Sequence, residues 1–169
     1  MSNVLDSLRP SDLDEEGDLR SEYLQSLRLI ERLHRLLLDV IKNEFDRIGW
    51  SDINSVQALL LYNIGSAELT AGELKSRGYY LGSNVSYNLK KLVDTGYIDH
   101  KRSKTDRRSV RISLTEKGAQ ACKVVEDLYQ RQLGSIETVG ELNEEQFSDL
   151  NKSLGRLERF WSDIIRFQL

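Results

Sequence analysis

One stretch near the middle of the chain, residues 81–118, restricts the possible folds more than any other part of the sequence. Its first part predicts a helix, because apolar residues recur at helical spacing and leave another face polar; they are Val85, Leu89, Leu92 and Val93. Gly96 then supplies a helix stop, and two alternating segments, 97–101 and 110–114, predict a pair of strands joined by a turn rich in arginine. A helix followed by such a hairpin is typical of a winged helix-turn-helix, whose helix enters a major groove of DNA while the hairpin reaches a minor groove.

A short helix predicted just before this stretch completes the helix-turn-helix. Thr70 and Glu73 have the spacing of a capping box, so a helix should begin there and end near Gly78. The next helix should start at Ser83, after a turn that contains glycine. Residues 68–70 are candidates for a third strand beside the hairpin.

Charge is strongly segregated along the chain. The net charge is −3, from 24 basic and 27 acidic residues. Residues 75–111 contain ten Lys or Arg and three Asp, a local charge of +7, and the remaining residues therefore carry −10. A solvated surface cluster would explain the charge alone, but here it coincides with the predicted helix and hairpin. Nucleic acid would be attracted to this segment and repelled by the rest, which favours one docking orientation.

Composition and apolar periodicity divide the chain into four regions. Residues 1–17 are acidic and lack periodicity, so we expect a mobile arm, whereas residues 18–50 carry the wide apolar stripe of a long helix. Residues 51–118 form the winged core, and residues 119–169 contain further helices with an apolar seam that usually meets a partner helix. The expected fold is mainly α with a small β hairpin.

Enzymatic, metal-dependent and membrane functions find little support in the sequence. The longest unbroken apolar run, 58–62, is far shorter than the roughly 20 residues of a membrane span, and the polar, acidic N-terminus does not resemble a signal peptide. His34 and His100 stand apart from any Cys or carboxylate at ligand spacing, and no glycine-rich phosphate loop follows a strand. We therefore expect a cytoplasmic protein that is not an enzyme and has no metal site, cofactor or membrane contact.

The single cysteine, Cys122, excludes an internal disulfide, which fits a reducing cytosol. It shares an apolar helical face with Val125 and Leu128, which favours a buried core thiol. A redox-responsive thiol at this position is the alternative.

The segment 105–118, TDRRSVRISLTEKG, resembles the MarR family of winged-helix transcriptional regulators, since it matches that family's Asp-x-Arg, Leu-Thr and Gly pattern. The order of predicted elements resembles the family over nearly the whole chain, apart from the acidic arm. The resemblance implies that the first and last long helices are N- and C-terminal dimerisation helices. It also implies a homodimer that binds a pseudo-palindromic operator in double-stranded DNA and is commonly released by a small phenolic or lipophilic effector. Some relatives sense peroxide through a cysteine in the first long helix, where this chain has none.

Predicted DNA contacts fall into three groups. The resemblance implies that Asp106 holds Arg108, which enters the minor groove. Other cations of the hairpin are predicted phosphate contacts: Lys101, Arg102, Lys104 and Arg107. The polar face of the second helix supplies candidates for base recognition: Ser83, Asn84, Tyr87, Asn88 and Lys91.

An effector site is expected where the first long helix meets the winged domain, because the resemblance puts effector pockets near this junction. The candidate residues are Asn43, Trp50, Leu61 and Ile64. The alternative is that these four residues only pack the junction.

A winged-helix protein-interaction module that does not bind DNA is the alternative from another functional class. The arginines of the hairpin and the concentrated charge argue against it, because a protein contact needs neither.

Overall fold

The computed structural model describes residues 10–76, 83–102 and 110–167. It is mainly helical with one small sheet, which confirms the predicted fold class. In chain order the elements are α1 Pro10–Arg47, α2 Ser55–Ile64, β1 Leu69–Thr70, α3 Ala71–Ser76, α4 Ser83–Asp94, β2 Ile98–Arg102, β3 Val110–Leu114, α5 Glu116–Val139 and α6 Glu144–Phe167. α1 begins eight residues before the predicted start, so residues 10–17, assigned to the arm, have helical backbone. Residues 1–9 of the arm lie outside the described residues.

Side-chain caps fix the starts of four helices, among them α2, α3 and α6. The capping box predicted at α3 is confirmed: Thr70 Oγ1 accepts from the Glu73 amide at 3.1 Å, and a Glu73 carboxylate oxygen accepts from the Thr70 amide at 2.6 Å. α2 is capped by Asn54, although Asp52, two residues earlier, also has the side-chain chemistry of a cap. Asp52 does not cap this helix because its carboxylate binds Tyr97 and Lys117 instead. α6 starts after Asn143, which exchanges two hydrogen bonds with Gln146.

The sheet is antiparallel with the strand order β1-β3-β2, so the predicted third strand is confirmed. β2 pairs with β3 in a register that sets His100 opposite Ile112 and Lys101 opposite Arg111. Because successive side chains of a strand alternate between faces, Lys101 and Arg111 share one face of the sheet and His100 and Ile112 the other.

The chain divides into two compact units, Met1–Val124 and Val125–Leu169. In the first unit α1 packs on α2, and α4 packs against β2. The buried side chains of this unit come from its helices and from all three strands; among them are Ile41, Phe45, Leu60, Leu61, Leu69, Leu74, Leu92, Ile98 and Ile112. α4 and the hairpin pack on this core, which fixes their positions.

The second unit contains the remainder of α5 and the whole of α6. α6 has no buried residue in the single chain, although it carries a long apolar stripe. Its exposed large apolar side chains are Leu150, Leu154, Phe160, Ile165 and Phe167. Among the described residues, no helix combines the length and the apolar character needed to span a membrane.

Candidate nucleic-acid interface

α4 presents one face to the core and another to solvent. Leu89 and Leu92 are buried, whereas Tyr87 is 67% exposed and Lys90 and Lys91 are exposed. Two of the predicted recognition residues, Tyr87 and Lys91, therefore stand on the outward face. An aromatic ring with a hydroxyl and two ammonium groups on one helix face can supply apolar contacts, hydrogen bonds and phosphate pairing to a duplex.

The prediction that Asn88 faces outward is wrong. Its side chain is only 9% exposed, and its amide oxygen accepts a hydrogen bond from Gln57 Nε2 at 3.3 Å. The reason lies in the spacing: position 88 is four residues before the buried Leu92, so helical geometry puts it on the face of α4 that packs on the core. The sequence interpretation assigned Asn88 by its polarity and overlooked its position.

The described part of the hairpin contributes two cations on one face of the sheet. Lys101 is exposed, and Arg111 lies opposite it in the strand pair. A guanidinium nitrogen of Arg111 lies 3.8 Å from a carboxylate oxygen of Glu68, and both side chains are about half exposed. An exposed pair at this distance contributes little to stability, so the pair leaves Arg111 available to a competing phosphate.

The remaining predicted contacts lie in less fully described parts of the chain. Lys104, Asp106, Arg107 and Arg108 lie outside the described residues. The backbones of Ser83 and Asn84 lie in α4 and that of Arg102 in β2, and their side chains are outside the described part of the chain. The roles assigned to these seven residues stay predictions.

A polar cluster surrounds the buried Tyr97 side chain, and sequence reasoning missed it. Tyr97, which links α4 to β2, is completely buried. Its hydroxyl donates to Asp52 Oδ1 at 2.6 Å and accepts from Trp50 Nε1 at 2.6 Å. Lys117 Nζ lies 4.1 Å from the centre of the Tyr97 ring and donates to Asp52 Oδ2 at 2.6 Å. We refer to Trp50, Asp52, Tyr97 and Lys117 as the Tyr97 cluster. It ties the segment after α1 to the start of the hairpin and to α5.

The Tyr97 cluster shifts the pKa values of two of its members. Hydrogen bonds from Lys117 and then from Tyr97 lower the pKa of the Asp52 carboxyl. Burial, together with the hydrogen bond to Asp52, raises the pKa of the Tyr97 phenol well above its ordinary value. Both shifts keep the cluster in one protonation state at neutral pH, with Asp52 charged and Tyr97 neutral.

Gly118 is needed for the close approach of α5 to the hairpin. A Cβ atom at this position would lie far inside contact distance of the Tyr97 carbonyl oxygen. The same carbonyl accepts from the Thr115 amide at 3.1 Å, and Thr115 Oγ1 caps α5 through the Gly118 amide. The Thr and Gly of the family-like motif therefore secure the joint between hairpin and α5, and they were the available sequence signal for this joint.

A cavity of about 430 Å³ lies between α4 and the hairpin strands. Leu89, Val93, Ile98 and Ile112 form much of its wall. Ser86, Lys90, Asp94 and His100 supply its polar groups. Its volume falls within the range of small-molecule pockets, and its lining is mainly apolar with a few polar groups. No sequence signal pointed to it, because its wall is assembled from three separate elements.

The four predicted effector residues have different environments. Leu61 and Ile64 are buried in the core, with 0% and 2% exposure, so they do not line an open site. Trp50 is half-buried and belongs to the Tyr97 cluster, and Asn43 is exposed. The alternative reading, that such residues pack the junction, fits Leu61, Ile64 and Trp50.

Among the residues that the structure describes, no group of three or more His, Cys, Asp or Glu side chains is arranged to hold a metal ion. His100 lines the cavity, and His34 is exposed on α1. Cys122 is half-buried, which is less burial than the core thiol that the sequence predicted.

The comparisons with known proteins agree with this architecture. The sequence model of the MarR family matches residues 51–109. Over 161 residues the chain is 37% identical to the exopolysaccharide II synthesis transcriptional activator ExpG of Rhizobium meliloti (strain 1021), covering 94% of this chain and 81% of that relative.

Two solved structures share the fold at low sequence identity. Streptococcus pneumoniae FabT in complex with DNA superposes with a TM-score of 0.66 at 22% identity, covering 84% of this chain and 99% of that chain. A mutant MarR from E. coli complexed with operator DNA gives a TM-score of 0.64 at 22% identity, covering 80% and 95%. Together with the family match and the identity to ExpG, the fold shows that this chain belongs to the MarR family of winged-helix, DNA-binding transcriptional regulators.

Proposed function

We propose that this protein is a sequence-specific transcriptional regulator that binds a pseudo-palindromic operator as a homodimer and is released by a small lipophilic or aromatic effector. The observation that carries the proposal is the outward face of α4, where Tyr87, Lys90 and Lys91 are exposed beside a cationic hairpin. The name of ExpG describes a transcriptional activator, which supports a role in transcription for this chain. Because the operator DNA is in the cytoplasm, the proposal includes a cytoplasmic location. Regulation by DNA binding and effector release involves no enzymatic step.

DNA binding should depend steeply on salt, because each phosphate contact displaces counterions and contributes a slope of about 0.9 to log affinity against log salt. Three phosphate contacts in each protomer of a dimer would give a slope of about −5. The operator is obtained first by selecting bound fragments from random DNA. Binding that is weak and insensitive to salt would contradict the proposal and favour the protein-interaction module.

Base contacts and phosphate contacts can be separated by two matched variants. Tyr87→Ala should relax the sequence preference with little change in the salt slope, because Tyr87 stands on the outward face of α4. Lys101→Ala should weaken binding to all sequences alike and reduce the slope by about 2, because the homodimer loses one phosphate contact in each protomer. Arg108→Ala should abolish specific binding without changing the circular dichroism spectrum, and Asp106→Ala should do the same more mildly. Unchanged operator affinity in the last two variants would remove the proposed roles of Asp106 and Arg108.

The homodimer is supported by apolar surface that the single chain leaves uncovered. α6 has no buried residue, and in α1 the exposed apolar side chains include Leu29, Leu33 and Leu36. Helices with such stripes normally bury them against a partner helix, and a second copy of the chain is the partner typical of soluble oligomers.

The assembly is tested by a charge placed on each side of α6. Leu154→Arg, on the apolar stripe, should shift sedimentation from dimer to monomer, because burying an unpaired charge in an interface is costly. Ser148→Arg introduces the same side chain on the polar side of the helix and should leave the dimer intact. A stable dimer in both variants would show that α6 is not part of the interface.

The effector part of the proposal is supported by the cavity between α4 and the hairpin, since it borders the recognition helix and has room for a small aromatic molecule. A ligand there would separate α4 from the hairpin and favour a conformation that fits the operator less well. Lipophilic aromatic acids are screened by thermal shift and by release of operator. Val93→Phe should fill the cavity and abolish the response while DNA binding persists. If instead only Asn43→Ala weakens the response, the effector binds at the junction at the end of α1.

A further inference from the structure

Two buried amide side chains join α2 to the recognition helix. Gln57 is 5% exposed and Asn88 is 9% exposed, and Gln57 Nε2 donates to Asn88 Oδ1 at 3.3 Å. Buried amides are uncommon in cores otherwise made of apolar side chains, because each unsatisfied polar group costs free energy. We therefore expect this pair, on the core side of α4, to have a specific role.

Gln57 is also bound to Asn54, at the start of α2, by two hydrogen bonds. Its amide oxygen accepts from the Asn54 backbone amide at 3.2 Å, and its own backbone amide donates to Asn54 Oδ1 at 2.9 Å. Gln57 is thus both the third residue of α2 in a capping box and the donor to Asn88. The first turn of α2 and the middle of α4 are connected through one side chain whose conformation is determined at both ends.

The hydrogen bond between Gln57 and Asn88 depends on the angle between its groups as well as on their distance, whereas the neighbouring apolar contacts do not depend on angle. Leu89 and Leu92 can slide against the core with a gradual loss of contact, whereas a buried hydrogen bond weakens steeply with distance and angle. We infer that the Gln57–Asn88 pair fixes the rotation of α4 about its own axis and thereby determines which bases Tyr87 and Lys91 address. Gln57 and Asn88 are positioning residues, and this inference rests on the proposed DNA-binding function.

The geometry shows why a small rotation matters. Side chains extend about 5–6 Å from a helix axis, so a rotation of about 20° displaces their outer atoms by about 2 Å. That displacement exceeds the tolerance of a hydrogen bond to a base edge. Lysine contacts to phosphates tolerate it, because a long flexible side chain can follow its partner. Loss of the pair should therefore reduce specific binding and spare non-specific binding.

The test measures the ratio of operator affinity to random-DNA affinity at one salt concentration in the full-length protein. Asn88→Ala and Gln57→Leu should each reduce the ratio roughly tenfold, the equivalent of about one lost base contact, with random-DNA affinity unchanged. Gln57→Glu separates the two contacts of Gln57: it keeps an acceptor for the Asn54 backbone amide and removes the donor to Asn88, so the ratio should fall as it does in Gln57→Leu. Asn88→Ser replaces Asn88→Ala if the latter does not fold.

The effects of Gln57 and Asn88 on the affinity ratio should not be additive, because both residues form the same hydrogen bond. In a double-mutant cycle the variant with both substitutions should discriminate no worse than the poorer single variant, and this non-additivity supports the inference. An unchanged ratio in a folded Asn88 variant, or fully additive losses, would overturn it. If the unaltered protein does not discriminate operator from random DNA, the proposed function itself fails, which is a different outcome.

Discussion

The buried hydroxyl of Tyr97 gives the sharpest quantitative prediction, because its removal deletes one oxygen atom and leaves the ring in place. Tyr97→Phe removes the donor to Asp52 Oδ1 and the acceptor for Trp50 Nε1, both at 2.6 Å. The cation contact between Lys117 and the ring survives, since it depends on the aromatic face. The substitution thus isolates the two hydrogen bonds of the hydroxyl.

The expected loss of stability follows from the two hydrogen bonds. A hydrogen bond between neutral groups contributes about 1 kcal/mol net, and one to a charged acceptor about 1.5–3 kcal/mol. The Asp52 side chain is 49% exposed and keeps its bond to Lys117, so water can replace the lost phenol donor and the lower part of the range applies. We therefore expect a loss of about 2.5 kcal/mol in the free energy of unfolding, or about 5–10 °C in Tm for a chain of this length.

The measurement is equilibrium denaturation of both proteins at equal protomer concentration, since the stability of an oligomer depends on concentration. Tyr87→Phe is the matched control: it makes the same chemical change on a side chain that is 67% exposed, and it should change stability by less than about 0.5 kcal/mol. If the two variants lose equal stability, the hydroxyl of Tyr97 does not hold the cluster together, and the coupling we assign to it is refuted.

Two further predictions concern the same region. Asp52→Asn should abolish a pH-dependent contribution: because the pKa of Asp52 is lowered in the fold, its stabilisation is complete above the ordinary value of 3.8 and is lost as pH falls through the lower folded pKa. The stability difference between the unaltered protein and this variant, measured by denaturation, should therefore be constant near neutral pH and shrink as the pH falls below 3.8. Gly118→Ala should destabilise by at least about 2 kcal/mol, because its Cβ meets the Tyr97 carbonyl, whereas Gly134→Ala in the same helix has open space and should gain about 0.5–1 kcal/mol. Equal thermal stability of the two alanine variants would contradict the close approach at Gly118.

Much of the fold was predictable because its signals are local. The capping box of Thr70 and Glu73, the stop at Gly96 and the strand 110–114 each depend on residues within a few positions of one another, and all three are confirmed. The cap of α2 is harder to predict, because Asp52 also has the right chemistry for a cap but is engaged by Tyr97 and Lys117, which are distant in sequence. A local pattern gives no information about competition from a distant partner.

The candidate site was less predictable for the same reason. Polarity suggested that Asn88 faces solvent, but its partner Gln57 lies 31 positions away in the chain. The Tyr97 cluster joins residues 45 and 65 positions apart, and the cavity needs three elements in place before it exists. The outward face of α4 was predicted for Tyr87 and Lys91 because helical periodicity and composition agree there. Where they disagreed, at Asn88, periodicity was the better guide.

Two polar anchors hold the recognition helix from its core side. Gln57 binds its middle through Asn88, and Tyr97 ends it, because the Tyr97 amide donates to the Leu92 carbonyl at 2.8 Å while the Tyr97 side chain is fixed in its cluster. Neither anchor uses a residue of the outward face. The proposed function therefore predicts that substitutions at Tyr87 or Lys91 alter the DNA sequence that is bound at little cost in folding stability. Substitutions at the anchors are expected to change stability and sequence preference together. This division separates the residues proposed to position α4 from the residues proposed to contact DNA, and it gives each class a distinct experimental signature.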